Sequence, residues 1–229
     1  MKKTLLICIL LISSGISKEY DIDSIVERDS LYYVQFSNNI VSGKVYQMFN
    51  GDKIILGKVV DGKKEGKWTH WYENGQKKWE GTYKDGKQDG LLTVWYENGQ
   101  KKYEGTYKDG EWDGLVTGWL KNGQKMLDGN YQKRLMNGEW TYYHENGQFH
   151  AQGRFIDGDG GNPSEISGIP FNGRSGTWKF WYENGQKKYE GTYKDGKKDG
   201  LWTYWHENGQ KKYEKTYKDG KQIGKTKNY

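Results

Sequence analysis

Residues 181–204 read WYENGQKKYEGTYKDGKKDGLWTY, and almost the same stretch starts at Trp71 and again at Trp95. Aromatic and polar residues alternate on both sides of Asn184-Gly185, so the segment predicts a β-hairpin. In one series, Asn-Gly pairs begin at Asn50, Asn74, Asn98, Asn122, Asn146, Asn184 and Asn208. Their spacing is 24 residues except for one step of 38, a period plus a 14-residue insertion. A fixed period with two turns per period means tandem hairpins. The expected fold is all-β: an elongated antiparallel meander, an open twisted sheet of about 15 strands.

A two-residue Asn-Gly loop, with both residues at positive φ, would put Tyr72 opposite Lys77, Trp71 opposite Lys78, His70 opposite Trp79 and Trp68 opposite Gly81. The Asp-Gly-Lys-Lys-Asp-Gly turn at 195–200 reads as the longer one. One sheet face then carries Trp68, His70, Tyr72, Trp79 and Tyr83, and the other Thr69, Trp71, Lys78 and Glu80. Trp68 across from Gly81 predicts a ring laid over a strand glycine, repeated by Trp140 with Gly153 and Trp178 with Gly191.

Leu, Ile, Val and Phe make up only 40 of 229 residues, against 11 Trp and 19 Tyr. The core must therefore be aromatic. With 33 Gly and 2 Pro, long helices are disfavoured. A net charge of +6, from 36 basic and 30 acidic residues, is only mildly basic. Lysines alternate with Glu80, Glu104, Glu190 and Glu214, a mixed face without the basic stripe of a nucleic-acid binder, so no nucleic acid is expected.

Lys2 and Lys3 precede an apolar run from Leu5 to Ile12, and Gly15-Ile16-Ser17 offers small residues for a cut ahead of Lys18. Residues 1–17 read as a signal peptide, so the chain is expected to be exported, periplasmic or extracellular. Residues 18–35 form a lead-in, and 36–229 the repeat array with an insertion near 159–172. Cys8, the one cysteine, lies inside the apolar run and would leave with it.

No catalytic residue, metal site or cofactor emerges. His70, His144 and His206 stand where other repeats hold aromatic residues, and His150 where they hold a lysine. None has a nucleophile beside it in register. Asp157-Gly158-Asp159-Gly160-Gly161-Asn162 fails the calcium-loop pattern at its fifth, sixth and last positions.

The segments YEGTYKDGKKDGLWTYW and WYENGQKK resemble the variant MORN repeat of bacterial proteins, over residues 36–229. The resemblance implies an extended sheet of hairpins used for binding or scaffolding, homologues labelled antitoxin-like, and links to membrane phospholipids and protein assembly. Trp-rich hairpins of this length are also similar to carbohydrate and cell-wall-binding repeats.

The expected function is a non-enzymatic, exported module that binds a protein or envelope partner, with peripheral phospholipid contact among its expected interactions; the alternatives are a carbohydrate or cell-wall-binding repeat module and an antitoxin-like partner of a toxin. Differences between repeats locate the expected partner site. Trp112 enters a turn that elsewhere holds Lys or Gln, near Trp119. Met126 replaces a lysine and Leu127 a tyrosine, and Leu135 and Met136 fill the next turn. Phe149 and His150 replace paired lysines, and Phe171 follows in the insertion. These nine residues predict an exposed apolar patch, or a patch over which the insertion folds as a lid.

Overall fold

The computed structural model describes residues 17–161, 164 and 167–229, so the signal-peptide reading falls almost wholly outside the described residues. Among these residues, no helix is long and apolar enough to cross a membrane. The chain divides into two compact units, Met1–Lys63 and Lys64–Tyr229.

In the first unit, β1 (Glu19–Asp21) runs parallel to β4 (Gly43–Phe49), which pairs antiparallel with β5 (Asp52–Val60). β2 (Ile25–Arg28) and β3 (Leu31–Val34) form a separate hairpin. Val41, Val45, Leu56 and Val59 make an aliphatic core.

The second unit is an antiparallel meander in which every strand pairs with its neighbours in sequence. Its strands are β6 (Lys63–Trp71), β7 (Lys77–Lys84), β8 (Lys87–Trp95), β9 (Lys101–Lys108), β10 (Glu111–Trp119), β11 (Lys125–Gln132) and β12 (Leu135–Tyr143). They continue with β13 (Phe149–Gly158), β14 (Arg174–Trp181), β15 (Lys187–Lys194), β16 (Lys197–Trp205), β17 (Lys211–Lys218) and β18 (Lys221–Asn228).

In the first unit Asn50-Gly51 is the two-residue loop expected, at φ +50° and +91° between the paired Phe49 and Asp52. In the second unit the two turn types are the reverse of the expectation, and the Asn-Gly loop holds three residues: Tyr72 N–H donates to the Gln76 carbonyl at 2.8 Å and Gly75 N–H to the Tyr72 carbonyl at 3.0 Å. Gly75 is left-handed at φ +80°, but Asn74 is not. Asn74 is selected by hydrogen bonding instead. Its Oδ1 accepts from Gln76 N–H at 3.0 Å, and its Nδ2 donates 2.8 Å to the Glu97 carbonyl of the next turn. Asn98, Asn146 and Asn184 tie their turns to the following ones in the same way.

The extra loop residue puts Trp71 opposite Lys77 rather than Lys78, and Tyr72 pairs with Gln76 through the backbone instead of facing Lys77. A bulge that leaves Lys78 unpaired then restores His70 to Trp79 and Trp68 to Gly81. The two-residue turns are the Asp-Gly ones, with Asp85 at φ +50° and Gly86 at φ +83° between the paired Lys84 and Lys87.

The tryptophan-glycine contact also needs correction. Trp178 pairs with Gly191, yet its ring leans the other way, onto Gly153 of the preceding strand. Trp140 likewise covers Gly129, and Trp202 covers Gly191. A buried indole N–H needs an acceptor. Beyond Gly191 a bulge leaves Thr192 without a partner on β16, and its carbonyl accepts from Trp202 Nε1 at 3.2 Å. Trp140 and Trp178 donate to the Asn130 and Arg154 carbonyls, residues that follow a register break and pair with Asn137 and Ser175.

The core face is largely aromatic, its rings stacked or edge-on, with Trp68, Trp140, Trp178 and Trp202 buried and Leu92 at the tryptophan position of β8. In β10 the tryptophan position holds Val116. Trp112, four residues earlier, fills the space instead, its ring edge lying where a Cβ on Gly105 would be. The insertion folds onto the core face. Ile169 is buried there, and the Arg174 guanidinium donates to the Ile169 and Pro170 carbonyls and to Tyr193 Oη at 2.7–2.8 Å.

Candidate binding surface

On the opposite, outer face the strands present a row of half-buried rings: Trp71, Trp95, Trp119, Tyr143, Trp181 and Trp205. They recur every second strand, about 10 Å apart. Each gap is bridged by one lysine that does two things. Lys77 Nζ lies 5.5 Å from the Trp95 ring centre and 2.7 Å from Glu80 of its own strand. Lys101 repeats this with Trp119 and Glu104, and Lys187 with Trp205 and Glu190. Lys211 bonds Glu214, which holds that carboxyl below the usual range. The bridging lysines are thus each paired with a carboxylate of their own strand, and the rings are shielded by lysine stems and ammonium groups.

The pattern breaks once. Phe149 takes the lysine position and Gln152 the glutamate position. Phe149 lies 5.6 Å from both the Tyr143 and Trp181 rings and is 48% exposed. With Gly147, Gln148 and Gly185, these three rings line a shallow cleft of about 300 Å³. Exposed Leu91 and Leu115 stand on the same face, on β8 and β10.

The nine residues expected to form one patch are divided between the two faces and the core. Met136 is buried, and Trp112, Leu127 and Phe171 pack against the core cluster. Phe171 lies under the Arg174 guanidinium at 4.4 Å. Leu135 is half-buried opposite Gln132. Met126 is 40% exposed, its Cε draped near Gly118, and Lys125 rather than Met126 stands beside Trp119.

His150 stacks on His144 at 4.5 Å, and His144 Nε2 lies 3.0 Å from the Trp181 carbonyl, the place of the Tyr72 hydroxyl on the Trp95 carbonyl. Burial, with His144 adding, pushes His150 below its usual range. Of the nine, Phe149 and Trp119 remain on the outer face. The lysine bridge was the feature missed, because it links residues 18 apart, across a turn whose length was misread.

Among the described residues, no group of three His, Cys, Asp or Glu is placed to hold a metal. Among curated proteins, none matches the chain. Residues 64–85, 88–109, 136–157, 174–195 and 198–219 match the MORN repeat variant, a family of non-enzymatic repeat modules that serve in binding.

Proposed function

We propose that the protein is an exported binding module that takes a protein partner of the cell envelope on its outer sheet face, centred on Phe149. The observation that carries this is the missing lysine: at one position of the row the bridging cation is replaced by an exposed ring flanked by two others. An aromatic group standing out of a polar-rimmed surface has the composition of an interface anchor. Export rests on Lys2, Lys3 and the apolar run that follows them.

Phe149→Lys restores the residue of the other repeats. It should leave the fold intact and reduce capture of the partner from envelope extract by at least about tenfold, the loss of roughly 1.4 kcal/mol of a hot-spot contact. A second reading, a wall-glycan module, is favoured by the regular row of rings. It requires Trp95→Ala to weaken sedimentation with purified wall while Phe149→Lys does not.

A further inference from the structure

The core face places cations over rings wherever the chain supplies them. Lys64 Nζ lies 4.8 Å from the Trp68 ring centre and 5.1 Å from that of Tyr83. Arg174 lies 4.8 Å from Trp178 and 4.9 Å from Tyr193, and Lys198 4.2 Å from Trp202 and 5.0 Å from Tyr217. All three come from the same position of the repeat, four residues before the core tryptophan. The middle repeats hold Gln88, Trp112 and Met136 there instead.

At Trp112 the consequence is a cleft without a resident cation. Trp112 stands 4.2 Å from Tyr107 and 5.8 Å from Tyr131, ring centre to ring centre. Among the described residues, no lysine or arginine lies over these three rings. They line an open cleft of about 520 Å³ whose rim carries Glu111, Asp159 and Arg134. Arg134 lies 3.8 Å from Glu111, leaving Asp159 as the carboxylate in excess. The Gly161 N–H and the Asn172 amide hold Asp159 in place at 2.8 and 3.0 Å, so its charge is fixed at the mouth.

We infer that this cleft binds an organic cation, a quaternary ammonium or alkylated amine, against the cluster of Tyr107, Trp112 and Tyr131 and beside Asp159. Aromatic surface with a carboxylate nearby is selective for a soft, weakly hydrated cation. The chain's own lysines show that the same lattice accepts one. The cleft lies on the core side of the sheet, so the inference stands apart from the outer-face reading.

Titration of the full chain with tetramethylammonium and with choline, followed by tryptophan fluorescence and by calorimetry, tests it. Saturable binding of choline is expected, with the neutral isostere 3,3-dimethylbutanol at least about fivefold weaker, the factor that roughly 1 kcal/mol of cation–π attraction provides. Asp159→Asn and Tyr131→Leu should each weaken choline without changing the far-ultraviolet circular dichroism. Equal binding of choline and its isostere overturns the inference, as does the absence of saturable choline binding to the folded chain. Equal affinity in Asp159→Asn and Tyr131→Leu, both folded, overturns the assignment to this cleft.

Discussion

Gly191 shows how a single missing Cβ supports the core. A Cβ there would lie 2.3 Å from the indole of Trp202, whose N–H is already committed to the Thr192 carbonyl. Gly191→Val should therefore displace Trp202 and destabilise by about 1–3 kcal/mol, the usual cost of overpacking. Near-ultraviolet circular dichroism of single-tryptophan variants checks it: the Trp202 signal changes and that of Trp178 does not.

His70 stacks 4.3 Å from Trp79, where Phe180 stacks at the same distance on Tyr189. Burial, aided by the nearby Lys64 and Lys78, pushes its pKa down to about 4, and Nε2 has no hydrogen-bond partner. Between the usual histidine value and about 4, the unfolded chain takes up the proton and the folded one does not, so this group's stability is lost as pH falls through that window. His70→Phe should flatten the decline. Melting temperatures of the two proteins, compared at pH 7 and pH 4.5, should show the smaller drop in the variant, and an equal drop would contradict the assignment.

The β10–β11 hairpin solves the packing problem of every hairpin with different residues. Trp112 does for Gly105 what Trp140 does for Gly129, from a position one turn of the pattern earlier. Trp112→Ala should cost about 3–5 kcal/mol, as a large aromatic deletion does in a core. Adding Val116→Trp to Trp112→Lys, the arrangement of Lys198 and Trp202, should recover most of that loss. Denaturant midpoints of the single and double variants measure the coupling. If the double variant is no more stable than Trp112→Ala, the two positions do not exchange roles. Read by spacing alone, Trp112 looked like an exposed addition to a turn. Its burial depends on what stands at position 116, a covariation visible only once both side chains share one space.

Throughout Lys64–Tyr229 each strand pairs only with its sequence neighbours, and the turn-to-turn bonds of Asn74, Asn98 and Asn184 recur with the period. Stability in such an array is a sum of local terms. Excision of residues 87–110, one 24-residue period, should leave a folded protein with the same β-type circular dichroism. Its denaturant slope should be smaller, in line with the surface removed. Loss of cooperative unfolding would mean that the unit depends on non-local contacts.

Period, strand direction, face assignment and the aromatic nature of the core were determined by the sequence itself, because they follow from the two-residue alternation and from composition. So were the pairs His70 with Trp79 and Trp68 with Gly81, although the counting behind them assumed the wrong loop. Two errors cancelled: the three-residue turn moved the register by one, and the Lys78 bulge moved it back. Only the tertiary structure decided which neighbouring glycine Trp140 and Trp178 cover, since both flanking strands offer each of them one and the ring goes to the side where its N–H reaches a carbonyl. The tertiary structure also decided the division of the expected patch, sending Met136 and Trp112 to the core and leaving Phe149 in the open. Exposure is a property of what packs above a residue, and neither the insertion's fold nor a lysine's reach to the next repeat is written in local pattern.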